Sequence, residues 1–367
     1  MKQSITRSEQ TLTTLNRESK DLNGSSAQTD AIIVPTSRSS HYADWAIDLA
    51  CQTGSYLIVM CSGKASAREI ANRTNKTNVR GMAINIPPKY QHKLLTFKTN
   101  FFPEALYGRQ TNDLYIKRNL GLLIAHLAGW KKIFFLDDDI TGITKSKMEL
   151  AASKLGEKAI AGFPSTNFPD NSVVRHAERL GGAEPGVALS ASAMMVNLTK
   201  ATGFWPAVYN ADWLFPYDSK RSCSVEVIAP ALQEPYNPFS SPQRAASEEF
   251  GDFLAEGIIH LMKCGIACTE ATKSDWKNLF ALRNESIRNI RQKIIMERPN
   301  NANCVLASLQ AAETQLHKID PVRCLVYILT WREDLDLWLN RLDKLHVRTS
   351  PALAIEQLGL NLSYFSF

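Results

Sequence analysis

The run KIFFL, Lys132–Leu136, has the length and composition of a strand, and it drives straight into three consecutive carboxylates, Asp137, Asp138 and Asp139. In open α/β sheets, ligands bind beyond the carboxyl ends of the strands, so this segment ties a fold class to a site. The segment before it, TNDLYIKRNLGLLIAHLAGW, puts Leu120, Leu123, Ile124 and Leu127 on one helical face; Asn112 or Asp113 can cap that helix and Gly129 can end it. Further upstream, AIIVP reads as a strand, YADWAIDLACQ as a helix and YLIVMCSG as a second strand. The expected fold is therefore α/β.

Three adjacent Asp side chains repel one another unless something positive stands between them, and a divalent cation with oxygen ligands is a natural partner. Such an ion, held by one or two carboxylates, keeps open positions that diphosphate oxygens fill. The plain alternative is a solvated acidic turn. The charge balance suits an anionic ligand: 42 Lys and Arg against 36 Asp and Glu give +6, without the basic tracts of a nucleic-acid binder.

At 367 residues and 44% hydrophobic content the chain can bury a large core, as one large domain or two smaller ones. Residues 1–29, rich in Ser, Thr, Asn and charge, cannot offset the entropy of ordering and read as a flexible tail. The N-terminus lacks the apolar core of a secretory signal, and the apolar run CLVYILTW is too short to cross a bilayer, so a cytoplasmic protein is expected. Seven scattered cysteines read as reduced thiols, and CGIAC lacks the spacing of a zinc site. GMAINIPP reads as less regular, GVALSASAMMVN as a strand over 186–197, and SPQRAASEEFGDFLAEGIIHLMKCG as a long helix. That helix buries Phe250, Phe253, Leu254, Ile258 and Leu261 and lines up Glu249, Glu256 and His260 on another face. From about Asp275 onward the chain reads as helical.

The order IIVPTSR, YLIVMCSG, KRNLGLLIAHLAGWKKIFFLDDD, SASAMMVN and NADWLF resembles the GT-A fold nucleotide-diphospho-sugar transferases, particularly family 2-like glycosyltransferases, over roughly residues 30–262. The resemblance implies a Rossmann-like, mixed, mostly parallel sheet flanked by helices, with a helical C-terminal region. It implies a tail over 1–29, a nucleotide-sugar transferase domain over 30–265 and a helical extension over 266–367. By the same resemblance, Pro35, Thr36 and Arg38 start the nucleotide site and Arg118 and Asn119 match an Arg-Asn pair before the metal strand. Asp137 and Asp139 match the metal motif, with Asp138 beside them in the nucleotide site, and Asp212 matches the catalytic base. Mn²⁺ or Mg²⁺ is the implied cofactor, a nucleotide-diphosphate sugar the implied donor, and inversion at the anomeric carbon the implied outcome; the acceptor is not named. Ser62 stands where family members often carry an Asp that contacts the nucleobase, and only one acid, Asp212, precedes the aromatic.

Each residue also has a plainer role. Arg118 and Asn119 could be polar helix residues; Asp212 could brace an aromatic turn with Trp205, Trp213 and Phe215. His260, read as an additional metal ligand, could be an ordinary surface histidine. The basic helices, including RNESIRNIRQK, offer a face to acceptor, partner or anionic membrane surface, or simply to solvent. Two rival functions use the same residues. FFLDDDIT also fits the Asp-x-Asp-x-Thr pattern of haloacid dehalogenase-like phosphohydrolases, with Asp137 as nucleophile, although no later strand with paired acids is evident. A non-catalytic sugar-nucleotide binder would keep the fold without turnover.

Overall fold

The structure, a computed structural model, describes residues 28–102, 113–156, 158–165, 167–168, 172–182, 190–201, 203–216, 225–347 and 349–367. Residues 1–27 of the expected tail, the alternative cap Asn112 and residues 186–189 of the expected strand lie outside the described residues. Thr29, the last tail residue, is already buried, its carbonyl accepting from the Ser55 hydroxyl at 3.0 Å.

The chain begins with β1 (Ala31–Thr36), α1 (Asp44–Thr53), β2 (Tyr56–Cys61), α2 (Ala67–Thr74) and β3 (Gly81–Asn85). It continues through α3 (Leu114–Ala128), β4 (Lys132–Leu136), β5 (Ile140–Thr141), α4 (Lys145–Lys154), β6 (Ile160–Gly162), α5 (Val173–Leu180), β7 (Ala193–Asn197), β8 (Val225–Val227) and β9 (Leu232–Gln233). Five helices follow, α6 (Pro242–Lys263), α7 (Lys273–Glu297), α8 (Ala302–Leu316), α9 (Pro321–Asp343) and α10 (Pro351–Gln357), and then β10 (Tyr364–Ser366). Eight strands form one sheet in the order β10-β3-β2-β1-β4-β7-β6-β8, and β5 pairs with β9 in a small second sheet. β1 runs parallel to β2 and β4, β2 to β3, and β6 to β8; β7 and β10 pair antiparallel to their neighbours. This is the mixed, mostly parallel sheet flanked by helices that the sequence leads one to expect.

Alternation along β1 sets the two cores. Ile33 packs with Ile58 and Phe135 on one face, while Ile32 and Val34 join Leu57, Val59 and Phe134 on the other. α1, α2 and α4 cover the second face. α3 and the C-terminal helices cover the first, with Trp276, Tyr327 and Trp338 in the same cluster as Leu120 and Phe135.

α3 lies close to the sheet because position 121 has no side chain: an ideal Cβ there would stand 2.9 Å from Ile33 Cγ2 and 3.2 Å from Phe135 Cε1. Gly129, at φ 72°, ends that helix as expected. Asp113 occupies the N-cap position, but its carboxylate makes no capping bond and pairs with Lys117 instead.

Two local expectations change. GMAINIPP holds β3, whose five residues gain their ladder from β2 on one side and β10 on the other. The C-terminal region, expected to be wholly helical, contributes β10, which covers the β3 edge. Among the described residues no helix is long and apolar enough to cross a membrane. Gly121→Val should lower Tm, at a cost of about 1–3 kcal/mol from overpacking against Ile33 and Phe135; an unchanged melting curve would show that α3 has room to move.

Candidate active site

The sheet reverses its order at β1. The chain builds outward through β2 and β3 and then returns to lay β4 on the opposite side of β1. At such a switch point the loops after adjacent strands diverge and leave a crevice. Here the loop after β1 supplies Thr36 and Arg38, and the end of β4 supplies the Asp cluster.

The carboxylates are held by cations and a hydroxyl. The Thr36 hydroxyl donates to Asp138 Oδ2 at 2.5 Å, and Arg38 Nη2 reaches Asp138 Oδ1 at 2.9 Å and Asp139 Oδ2 at 2.8 Å. Burial pushes the Asp138 carboxyl above its ordinary value, against the pull of Thr36 and Arg38. The Arg118 guanidinium, buried on α3, spans two elements: Nη2 donates to Asp137 Oδ2 at 3.0 Å, and Nη1 to Asp212 Oδ1 at 3.0 Å. Asp212 sits in the 3-10 helix Ala211–Trp213. It also accepts from the Ala191 backbone N–H at 2.8 Å and from Trp205 Nε1 at 3.3 Å, so its carboxylate has a set orientation.

Lys117 belongs to this site, and sequence reasoning passed over it. Its ammonium is buried and uses its three hydrogens on the Thr36 carbonyl (2.9 Å), Ser62 Oγ (2.7 Å) and Asp113 Oδ1 (2.9 Å). The available signal was Asp113 four residues earlier on the same helix. A lysine beside an arginine reads as a solvated face, because buried lysines are rare.

These groups line a cavity of about 890 Å³. Pro35, Arg38, Arg118, Asp137 and Asp139 face it from the sheet side, and Tyr209, Asn210, Tyr236, Arg244 and Glu248 form further walls. Glu248 is a second residue the sequence did not single out. Its Oε1 accepts from Arg244 Nε and its Oε2 from the Val173 backbone N–H, both at 2.8 Å. Burial nevertheless pushes it up to about 7, against the pull of Arg244.

Three expected residues stand elsewhere. Asn119 is buried and grips the Trp205 backbone from both ends of its amide, donating to the carbonyl at 2.7 Å and accepting from the N–H at 2.8 Å. Ser62 reaches the cavity only through Lys117. His260 is exposed in the last turn of α6 and does not line this cavity. Glu256, on the same face, turns to Arg283 and Arg175 instead of the Asp cluster. The expectation that this face supplies a metal ligand therefore fails on position.

Among the described residues no group of three or more His, Cys, Asp or Glu side chains forms a ready cation cage. The donor set still fits a hard divalent cation, which with a diphosphate needs only one or two protein carboxylates. Asp139 Oδ2 is engaged by Arg38 and by Gln233 Nε2, while its Oδ1 accepts no hydrogen bond among the described residues and is available as an oxygen donor.

No protein-family model matches the chain, and no curated protein does. Two solved glycosyltransferases are similar to it. One is glucosyl-3-phosphoglycerate synthase from Mycobacterium tuberculosis in complex with Mn²⁺, UDP and phosphoglyceric acid, at 14% identity and a TM-score of 0.38 over 65% of this chain and 79% of that one. The other is a mannosyltransferase from Pyrobaculum calidifontis in complex with GDP-Man and Mn²⁺, at 12% identity and a TM-score of 0.43 over 92% and 95%.

Behind the Tyr236 wall, His176 Nε2 meets the Tyr236 hydroxyl at 3.1 Å, and burial with Arg179 and Arg244 nearby pushes the imidazole down to about 4. The native state thus binds fewer protons than the unfolded chain between about pH 4 and 6.5, so this contribution is complete above 6.5 and is lost as pH falls. His176→Gln should remove that part of the acid sensitivity, on the order of 1–3 kcal/mol; parallel Tm-against-pH curves for the two proteins would refute it.

Proposed function

We propose that the chain is a metal-dependent glycosyltransferase that moves a hexose-type sugar from a nucleotide-diphosphate donor to an acceptor hydroxyl, with inversion, in the cytoplasm. Residues 30–265 carry the site in this reading and residues 266–367 brace it. The observation that carries the proposal is the Arg118 bridge, in which one buried guanidinium stands between the β4 carboxylate Asp137 and the loop carboxylate Asp212. Glycosyl transfer needs two opposed functions in one cavity: charge that steadies a departing diphosphate, and a base for the incoming hydroxyl.

Arg38 and Arg118 donate to diphosphate oxygens, with Pro35 and Thr36 forming the adjoining nucleotide wall and Lys117 bracing Thr36 from behind. Asp139 and Asp137 would hold Mn²⁺ or Mg²⁺, which when bound supplies positive charge to the diphosphate. Asp212 accepts the acceptor's hydroxyl proton as that oxygen bonds to the anomeric carbon and the bond to the diphosphate breaks. Among the described residues the rival phosphohydrolase reading finds no second acidic pair at a strand end: β6, β7, β8 and β9 end in Gly162, Asn197, Val227 and Gln233, and only the last is followed by an acid, Glu234.

UDP or GDP should raise Tm only when Mn²⁺ or Mg²⁺ is present, since the carboxylates repel a bare diphosphate. Asp139→Ala should abolish that synergy, and equal stabilisation in excess chelator would rule out the metal clamp. Asp212→Asn should keep the nucleotide-dependent Tm shift while transfer from a panel of nucleotide sugars falls about a hundredfold or more. Near-normal turnover, or retained anomeric configuration in the product NMR, would remove Asp212 from the role of base.

A further inference from the structure

Asp212 is reached from a second direction, by a helix outside the nucleotide half of the site. The 3-10 helix that carries it begins at Asn210, which holds a left-handed backbone at φ 56° and ψ 25° and accepts the Trp213 N–H at 3.1 Å. Asparagine tolerates this region better than most residues, yet it needs a tie to stay there. The tie is Asp252 on α6, whose Oδ1 accepts from Asn210 Nδ2 at 2.6 Å. The backbone one residue earlier is pressed against the same turn of α6: an ideal Cβ at Gly251 would stand 2.1 Å from the Tyr209 carbonyl oxygen, so only glycine lets the loop sit there.

Asp252 is itself held. Arg283 on α7 donates to Asp252 Oδ2 at 3.2 Å, to Glu249 at 2.7 and 2.9 Å and to Glu256 at 2.7 Å. Arg283, Glu249 and Asp252 are all buried. Three carboxylates on one face of α6 are an expensive way to fill a helix contact if packing were the whole purpose, because apolar residues of like volume fill such a contact without desolvating charge.

We infer that Asn210 and Asp252 are positioning residues, through which Arg283 and the C-terminal helices set where the Asp212 carboxylate stands. This rests on the reading of Asp212 as the base in the proposed transfer. Asp252 and Arg283 stand outside the cavity and Asn210 lines it, so the tie reaches Asp212 from behind the cavity wall.

The test is an exchange of the pair. Asn210→Gly keeps the left-handed backbone accessible and deletes the tie, and Asn210→Asp sets one carboxylate against another, an acceptor facing the acceptor Asp252. Asn210→Asp combined with Asp252→Asn restores the bond with donor and acceptor reversed, while the amide oxygen at 252 still accepts from Arg283. Gly251→Ala, a better helix former, should push the Tyr209 carbonyl away.

Two readouts are made on the full chain. The first is kcat and KM with UDP-glucose and GDP-mannose in the presence of Mn²⁺. The second needs no substrate: the ¹⁵N-indole resonance of Trp205, assigned with Trp205→Phe, reports the bond from its Nε1–H to Asp212. Each single variant is expected to lower kcat roughly ten- to hundredfold, a larger change than in KM, and to move the Trp205 signal; the exchanged pair should recover both. An unmoved Trp205 signal in the single variants, or an exchanged pair no better than they are, would overturn the inference. A protein that turns over neither nucleotide sugar, yet whose Trp205 signal is lost and recovered in this order, keeps the positioning tie and defeats the transferase reading.

Discussion

A single guanidinium, that of Arg118, carries charge from the end of β4 to the loop of Asp212, and the surrounding structure is arranged to keep it there. Removing one partner from a buried ion pair typically costs about 3–5 kcal/mol, because the other charge is left without compensation. The helix that bears Arg118 cannot drift, since its backbone at Gly121 touches the side chains of β1 and β4. The position of the charge is therefore inherited from a close helix-to-sheet contact in the core. Asn119, next along the chain, points the other way and fastens Trp205, whose indole then returns to Asp212. Two adjacent residues on α3 thus reach the same carboxylate by a direct and an indirect route.

The sheet side of the site was legible because its signals are local. An apolar strand ending in KIFFLDDD, and an Arg shortly before it on a helix, can be read within one stretch of chain, and Asp137, Asp138, Asp139 and Arg118 do share a cavity. What escaped was non-local. Asn119 looks like a ligand from its place beside Arg118, and only the fold reveals Trp205 as its partner. Glu248 and Arg244 look like a surface pair one helical turn apart, until β9 and the following loop bring Tyr236 over them. His260 shared a face with Glu249 and Glu256, but that face meets Arg283 from α7, a residue with no sequence signal connecting it to α6. GMAIN carries too short an alternation to be told from a loop, and becomes a strand because both its neighbours pair with it.

The cavity walls also differ in how their charge is managed. On the sheet side the ion pairs of Arg38 and Arg118 border the cavity that a charged ligand can enter, and Asp139 keeps one oxygen uncommitted. On the α6 side the pairs are closed: Arg244 is spent on Glu248 and lies 4.4 Å over the Tyr236 ring. That wall offers aromatic faces, amides and hydroxyls more than net charge, a surface suited to a neutral hydroxylated group.

The pairing of β10 with β3 bears on how the molecule reaches this form. Tyr364 lies opposite Ile84, so closing that edge joins segments separated by nearly all of the site-bearing sequence. Contacts of such wide separation carry a large loop-closure entropy and slow the search for the native state. The βαβ unit of β1, α1 and β2 and the packing of α8 on α6 and α7 join segments much nearer in sequence and can assemble early. The edge of β3 stays unpaired until these preformed parts dock, and during that interval its open ladder is the place where one folding chain is most apt to pair wrongly with another.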